Sequence, residues 1–164
     1  MHRYATTVTW TGNLGTGTSD YRNYSRASTI AAGGKAPIDA SSDPAFRGEG
    51  ARWNPEELLV ASLSTCHMLW YLHLAAVAGV VVTEYRDEAD GTMEERSGAG
   101  RFVRVTLRPR VTIAPGSDAG RAGELHRDAH AQCFIANSVN FPVDCEPATL
   151  VDGHGLGQAS GRNR

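Results

Sequence analysis

Between Asn54 and Gly79 the chain reads NPEELLVASLSTCHMLWYLHLAAVAG, and signals at both ends mark it as one helix. Asn54 suits an N-cap, Pro55 the first helical position and Glu57 the third position of a capping box. Gly79 suits a C-cap before the β-branched run VVVT. The spacing predicts a helix of about 24 residues, roughly 36 Å long. Leu59, Leu63, Cys66, Trp70, His73 and Val77 recur three or four apart, which predicts a packing stripe that includes Cys66. His67 then points about 100° away from Cys66, off that stripe.

Extended segments surround this helix. MHRYATTVTWTG alternates like an opening strand, NLGTGTSDYRN reads as a loop, and YSRASTIA is a second extended segment. The Gly/Pro/Ser-rich stretch from Ala32 to Trp53 is long for a structureless connection, so it either hides a short element or carries function. After the helix, GVVVTEYRDEADGTM reads as a strand with a turn at Asp90-Gly91. GRFVRVTLRPRVTIAP reads as a long strand interrupted at Pro109. RAGELHRDAHAQCFIANSV reads as a second helix, with Leu125, Ala129, Cys133 and Ala136 on one stripe and His130 facing the same way. FPVDCEPATLVDG closes the fold as a short strand. The order implies an α+β domain over residues 1–153, followed by a polar, glycine-rich tail, residues 154–164, that need not be ordered.

The 164 residues suffice for one domain with its own core. A formal charge of −2, with 16 Lys+Arg against 18 Asp+Glu, provides no cationic excess for a nucleic-acid backbone or an anionic membrane. Residues 1–30 lack an apolar signal core, and Ser62, Ser64, Thr65, His67 and His73 interrupt the apolar run from Leu58 to Val82. The expectation is a soluble, cytoplasmic protein without membrane or nucleic-acid partners. The three cysteines, Cys66, Cys133 and Cys145, are too few to staple a secreted scaffold of this size, and an odd number leaves a thiol over.

Cys66 and Cys133 each lie on the packing stripe of a different helix. If the stripes face each other, the sulfurs come within disulfide reach, which requires Cα atoms roughly 4.4 to 6.8 Å apart. Three readings stand side by side. The two cysteines form a redox-cycling thiol pair, or they are small core hydrophobes, or they join His130 and either His73 or His67 in a zinc site. Compact C-x-x-C and H-E-x-x-H spacings are absent, and only H-x-x-C at His130 to Cys133 resembles a chelating unit. Cys145 follows a strand-like segment, has no helical companion and reads as structural or incidental. As a base for Cys66, His67 points the wrong way and His73 lies about 10 Å along the helix axis, whereas His130 could approach from the second helix.

NPEELLVASLSTCHM, the helix ending at AG and the distant AHAQCFIANSVNFPV together resemble the OsmC/Ohr family of cysteine peroxidases, especially an uncharacterised OsmC-like branch. The resemblance extends over roughly residues 4 to 151. It implies an OsmC/Ohr-like α+β fold of antiparallel sheets with two principal helices, intertwined as a homodimer. It also implies a peroxidase that reduces organic hydroperoxides, and in some members hydrogen peroxide, without a bound cofactor or metal, and is regenerated by a thiol or dithiol reductant. By the resemblance Cys66 is the peroxidatic cysteine and Cys133 the resolving one, and Glu56 is the acidic residue of the N-P-E segment. The family's thiolate-holding arginine corresponds to Arg22, with Arg26 as the alternative, and His67 stands where a phenylalanine is usual. A non-catalytic structural or small-ligand-binding protein on the same scaffold is the alternative, as is a zinc-binding Cys/His protein.

Leu63, Leu69, Trp70, Phe134 and Phe46 are candidates to line an apolar substrate pocket. Glu56 precedes Cys66 by ten residues, about 15 Å along a continuous helix, so it cannot touch the thiol from there. An arginine spans part of the gap, or the helix is broken, or another subunit contributes.

Overall fold

Helix α1, Pro55–Val77, is capped at both ends by the residues that predict it. Asn54 Oδ1 accepts from the Glu57 N–H at 2.7 Å, and Glu57 Oε2 accepts from the Asn54 N–H at 3.2 Å, a reciprocal capping box. At the other end Gly79 takes φ 72°. The Val80 N–H reaches back to the Ala75 carbonyl and the Gly79 N–H to the Ala76 carbonyl, the paired bonds of a Schellman stop. A side chain at position 79 would have to enter the left-handed region. The computed structural model describes residues 1–153, and the tail expected at 154–164 lies outside the described residues.

The chain divides into two compact units, Met1–Leu59 and the part from Val60 onward. In the first, β1 (Thr7–Trp10), β2 (Ser28–Ala31) and β3 (Ile38–Ala40) form an antiparallel sheet in chain order. The long Gly/Pro/Ser stretch does hide a short element, a 3-10 turn at Pro44–Phe46 that Asp43 caps by accepting from the Ala45 N–H. Apolar cover is scarce in this unit, where Val8, Trp10, Leu14, Tyr21, Ile38, Phe46 and Trp53 are exposed.

The second unit contains most of α1, then β4 (Val82–Asp87), β5 (Asp90–Arg96), β6 (Ala99–Leu107), β7 (Pro109–Ile113), α2 (Ala119–Gln132), β8 (Val143–Cys145) and β9 (Ala148–Val151). Two three-stranded sheets result, in the orders β4-β7-β9 and β5-β6-β8. The sheets are mixed, which corrects the expectation of antiparallel sheets. β4 with β7 and β5 with β6 are antiparallel, whereas β7 with β9 and β6 with β8 are parallel. The cause is α2, which acts as a crossover and returns the chain to pair alongside β6 and β7 in their own direction. Pro109 interrupts the long strand as its missing N–H predicts, and β7 begins there.

The hairpin turn falls at Ser97–Gly98, both at positive φ (54° and 79°), and not at Asp90-Gly91. Gly91 instead lies inside β5, where a Cβ would come within 2.6 Å of Phe102 Cε1 and 2.9 Å of Val60 Cγ2. The position is glycine because of close approach and not because of a turn.

The residues α1 buries are Leu63, His67, Tyr71 and Ala75, four apart. This corrects the predicted stripe, since His67 is on the packing face and Cys66 at its half-buried margin, while His73 and Val77 are exposed. Tyr71 and Ala75 pack with Val80, Val111 and Ile113 of the sheet side and with Ala122, Leu125 and Ala129 of α2. Leu63 packs with Val105 and Leu107 of β6 in a second cluster. By length and composition alone α1 could cross a membrane, with mean hydropathy 1.3. Here one face of it joins the core of the second unit.

Candidate functional site

Two adjacent residues of α1 serve two separate clusters. Cys66, half-buried, interacts with Cys133, which is 1% exposed at the C-cap of α2. The second helix is shorter than predicted and ends at Gln132, so Cys133 adopts extended backbone angles (φ −69°, ψ 109°) at the helix end. Its sulfur accepts from the Ala136 N–H at 3.4 Å. All three cysteines are free thiols. Burial pushes the Cys133 thiol up to about 11, and its hydrogen bond to Cys66 adds to this, against the opposing Ala136 amide. Burial therefore favours the protonated thiol at Cys133, which interacts with Cys66. The two thiols differ in environment, Cys133 being fully buried and Cys66 half-buried.

Leu69, Trp70 and His73 lie three, four and seven residues beyond Cys66, on the same side of α1. They line an open hollow of about 310 Å³. Phe134, next to Cys133, meets Trp70 edge to face with centroids 5.5 Å apart. Leu63, expected among the lining residues, is fully buried core. Phe46 belongs to the first unit.

Glu56 sits in the first turn of α1, which runs unbroken to Val77, so the broken-helix alternative is removed. In the first unit Arg22 is exposed and its backbone N–H bonds to Asp20. Arg26 is held more firmly. Its guanidinium donates to the carbonyls of Tyr24 (2.7 Å) and Tyr21 (2.9 Å) and lies 4.0 and 4.4 Å from the centroids of those two rings.

The second cluster joins His67 to residues the sequence reading did not connect with it. His67 Nε2 is 3.0 Å from Nδ1 of His126 on α2, and Cys145 Sγ at the end of β8 is 3.7 Å from the same His67 Nε2. The imidazoles are nearly parallel, 6° apart, and Tyr71 stacks on His126 at 4.0 Å. Asp87 anchors the neighbourhood by accepting from Ser64 Oγ and from the Arg108 N–H, both at 2.6 Å. Among the described residues these three ligand atoms, all within 4.8 Å of one another, form the Cys/His group. The combination of Cys66, Cys133, His130 and His73 or His67 does not assemble as one ligand set, and His73 is exposed. A histidine on the Ala122–Leu125–Ala129 face of α2 was the one available signal for His126. Nothing local marks Cys145.

Burial holds both imidazoles down at about 4. At His67 the Asp87 carboxylate opposes this and His130 reinforces it, and at His126 the His67 ring reinforces it. Among the described residues, His67 Nδ1 and His126 Nε2 are buried without hydrogen-bond partners. Because one N–H fills the gap between two neutral rings, the other must lie on one of these orphaned nitrogens, at a cost of about 1–3 kcal/mol. Unfolded histidines take up protons near pH 6.5 and the folded pair only near pH 4. The stability contributed by this pair is therefore complete above about pH 6.5 and is lost as pH falls toward 4, by up to about 1.4 kcal/mol per pH unit for each ring. In metal-free buffer, urea midpoints should fall between pH 7 and 5, and neither ring should titrate above about pH 5 by NMR. Titration of either ring near pH 6.5 would contradict the buried, neutral pair.

A family model described as OsmC-like protein matches residues 48–147. The solved structure of an OsmC-like protein of unknown function from Vibrio cholerae is 34% identical, with TM-score 0.82, covering 90% of this chain and 100% of that one. The organic hydroperoxide resistance protein OhrB of Bacillus subtilis is 21% identical, with TM-score 0.59, covering 89% of this chain and 98% of that one, a likeness of fold. The uncharacterized protein YmaD of Bacillus subtilis strain 168 is 22% identical over 102 residues, 60% of this chain and 68% of that protein.

Proposed function

Because the chain belongs to the family of OsmC-like proteins, we propose that it is a thiol-dependent peroxidase that reduces organic hydroperoxides through Cys66. The observation that carries this reading is the thiol pair, in which the half-buried Cys66 interacts with the fully buried Cys133. The Cys66 thiolate attacks the O–O bond, and the departing alkoxide takes a proton to leave as alcohol. Cys66 becomes a sulfenic acid. The Cys133 thiol condenses with it, releasing water and forming the Cys66–Cys133 disulfide before over-oxidation can occur. Two equivalents of a thiol, or one dithiol, return both sulfurs to the reduced state.

The hollow lined by Leu69, Trp70 and His73 supports an alkyl hydroperoxide over hydrogen peroxide, since it is apolar and begins one turn from Cys66. Arg22 is our first choice for a cation that favours the thiolate, with Arg26 and His130 as alternatives or accessories and Glu56 as the acidic residue of the site. The exposed apolar side chains of the first unit, among them Val8, Trp10 and Ile38, support a homodimer that would cover them.

Replacing Cys133 with serine tests the order of events. The variant should accumulate a Cys66 sulfenic acid trappable by dimedone after one equivalent of cumene hydroperoxide, and should turn over no further. Dimedone labelling at Cys133 in a Cys66→Ser protein, with none at Cys66 in Cys133→Ser, would reverse the assignment.

A further inference from the structure

His67 and Cys145 take no part in the peroxidase chemistry, yet with His126 they bring two imidazoles and a thiol from three different elements to one point. Ligand atoms around a tetrahedral zinc ion, with Zn–N near 2.0–2.1 Å and Zn–S near 2.3 Å, lie about 3.3 Å apart for N···N and about 3.6 Å for N···S. The observed separations are 3.0 Å for His67 Nε2 to His126 Nδ1 and 3.7 Å for Cys145 Sγ to His67 Nε2. To bind one ion, each ring must turn by roughly 35° from the direct N···N line, so that the two lone pairs meet at the metal and not at each other. The histidines are 1% and 3% exposed, and the half-buried Cys145 leaves an approach from its side.

We propose that His67, His126 and Cys145 bind one zinc-class transition-metal ion, at a site separate from the Cys66–Cys133 pair. Two neutral nitrogens and one thiolate are a borderline-soft donor set that selects such an ion over magnesium or calcium. On binding, Cys145 gives up its thiol proton to solvent and forms the metal–sulfur bond, while each imidazole keeps its hydrogen on the outward nitrogen. The nearby Asp87 carboxylate acts through space on both His67 and Cys145, and with the thiolate it offsets the charge of a divalent ion. Because the ligands come from α1, α2 and β8, the ion would cross-link the core of the second unit.

The test uses reduced, chelator-stripped full-length protein with Co²⁺ as the spectroscopic probe and Zn²⁺ as competitor. The expected result is one Co²⁺ per chain with a thiolate-to-cobalt charge-transfer band that Zn²⁺ abolishes. The band should vanish in Cys145→Ser and persist in both Cys66→Ser and Cys133→Ser. His126→Gln should weaken Zn²⁺ binding by about 100-fold or more, and Zn²⁺ should raise the thermal midpoint of the wild type but not of this variant. Absence of stoichiometric Co²⁺ binding by the wild type, a band that survives Cys145→Ser, or a band lost with Cys66 or Cys133 would overturn the proposal. If Cys145→Ser does not fold, the His126→Gln affinity decides, and an unchanged affinity rejects the site. Hydroperoxide turnover by Cys145→Ser is a separate readout, so failure of the metal site and failure of the peroxidase reading are distinguishable.

Discussion

Replacing Cys66 with serine should lower hydroperoxide consumption by about 10³-fold or more, because a serine hydroxyl at this position has neither the nucleophilicity nor the redox chemistry of a thiolate. The fold should survive, since Cys66 is at the margin of the packing face and makes no part of either apolar core cluster. Steady-state assays with cumene hydroperoxide and a dithiol reductant measure the loss, and circular dichroism checks the fold. The same assay on Cys145→Ser should retain activity. A Cys66→Ser protein still active within tenfold of the wild type would move the chemistry to another residue.

The second large effect is on stability. Tyr71 is fully buried, stacks on His126 at 4.0 Å and lies 5.8 Å from the Tyr85 ring. Tyr71→Ala should cost about 3–5 kcal/mol, as truncation of a core aromatic leaves a cavity between α1, α2 and the sheet. For a chain of this length that is a fall in thermal midpoint of roughly 10 °C. Tyr71→Phe should behave oppositely. The hydroxyl is buried without a hydrogen-bond partner among the described residues, so its removal leaves stability unchanged or raises it by up to about 1 kcal/mol. Urea unfolding of both variants measures the pair of effects. A loss above about 1 kcal/mol for Tyr71→Phe would mean that the hydroxyl is in fact bonded.

What could be read from the sequence is what local chemistry determines. Asn54, Pro55, Glu57 and Gly79 define α1 through contacts within a few residues of its ends, and Pro109 breaks a strand by lacking an N–H. Asp90-Gly91 misled because it is a strong turn signal, whereas Gly91 is needed for the approach of Phe102 and Val60, residues far away in the chain. The packing stripe of α1 was displaced by one residue. Both candidate stripes contain Leu63, and the choice between Cys66 and His67 depends on which elements pack against the helix. The parallel pairing of β8 and β9 likewise depends on the α2 crossover. Of the two clusters, the thiol pair was foreshadowed by one cysteine in each helical segment, although Cys66 is beside the buried stripe of α1 and Cys133 caps the end of α2. The His67–His126–Cys145 group was not, because its members are brought together by tertiary structure from 59 and 78 residues apart along the chain.

The most direct measurement is a thiol count on anaerobically reduced protein before and after one equivalent of tert-butyl hydroperoxide, with peptide mapping of the product. The expected result is the loss of two thiols within minutes, a Cys66–Cys133 disulfide, and Cys145 still reduced. Three unchanged thiols, or a disulfide that includes Cys145, would contradict the peroxidase built on Cys66 and Cys133.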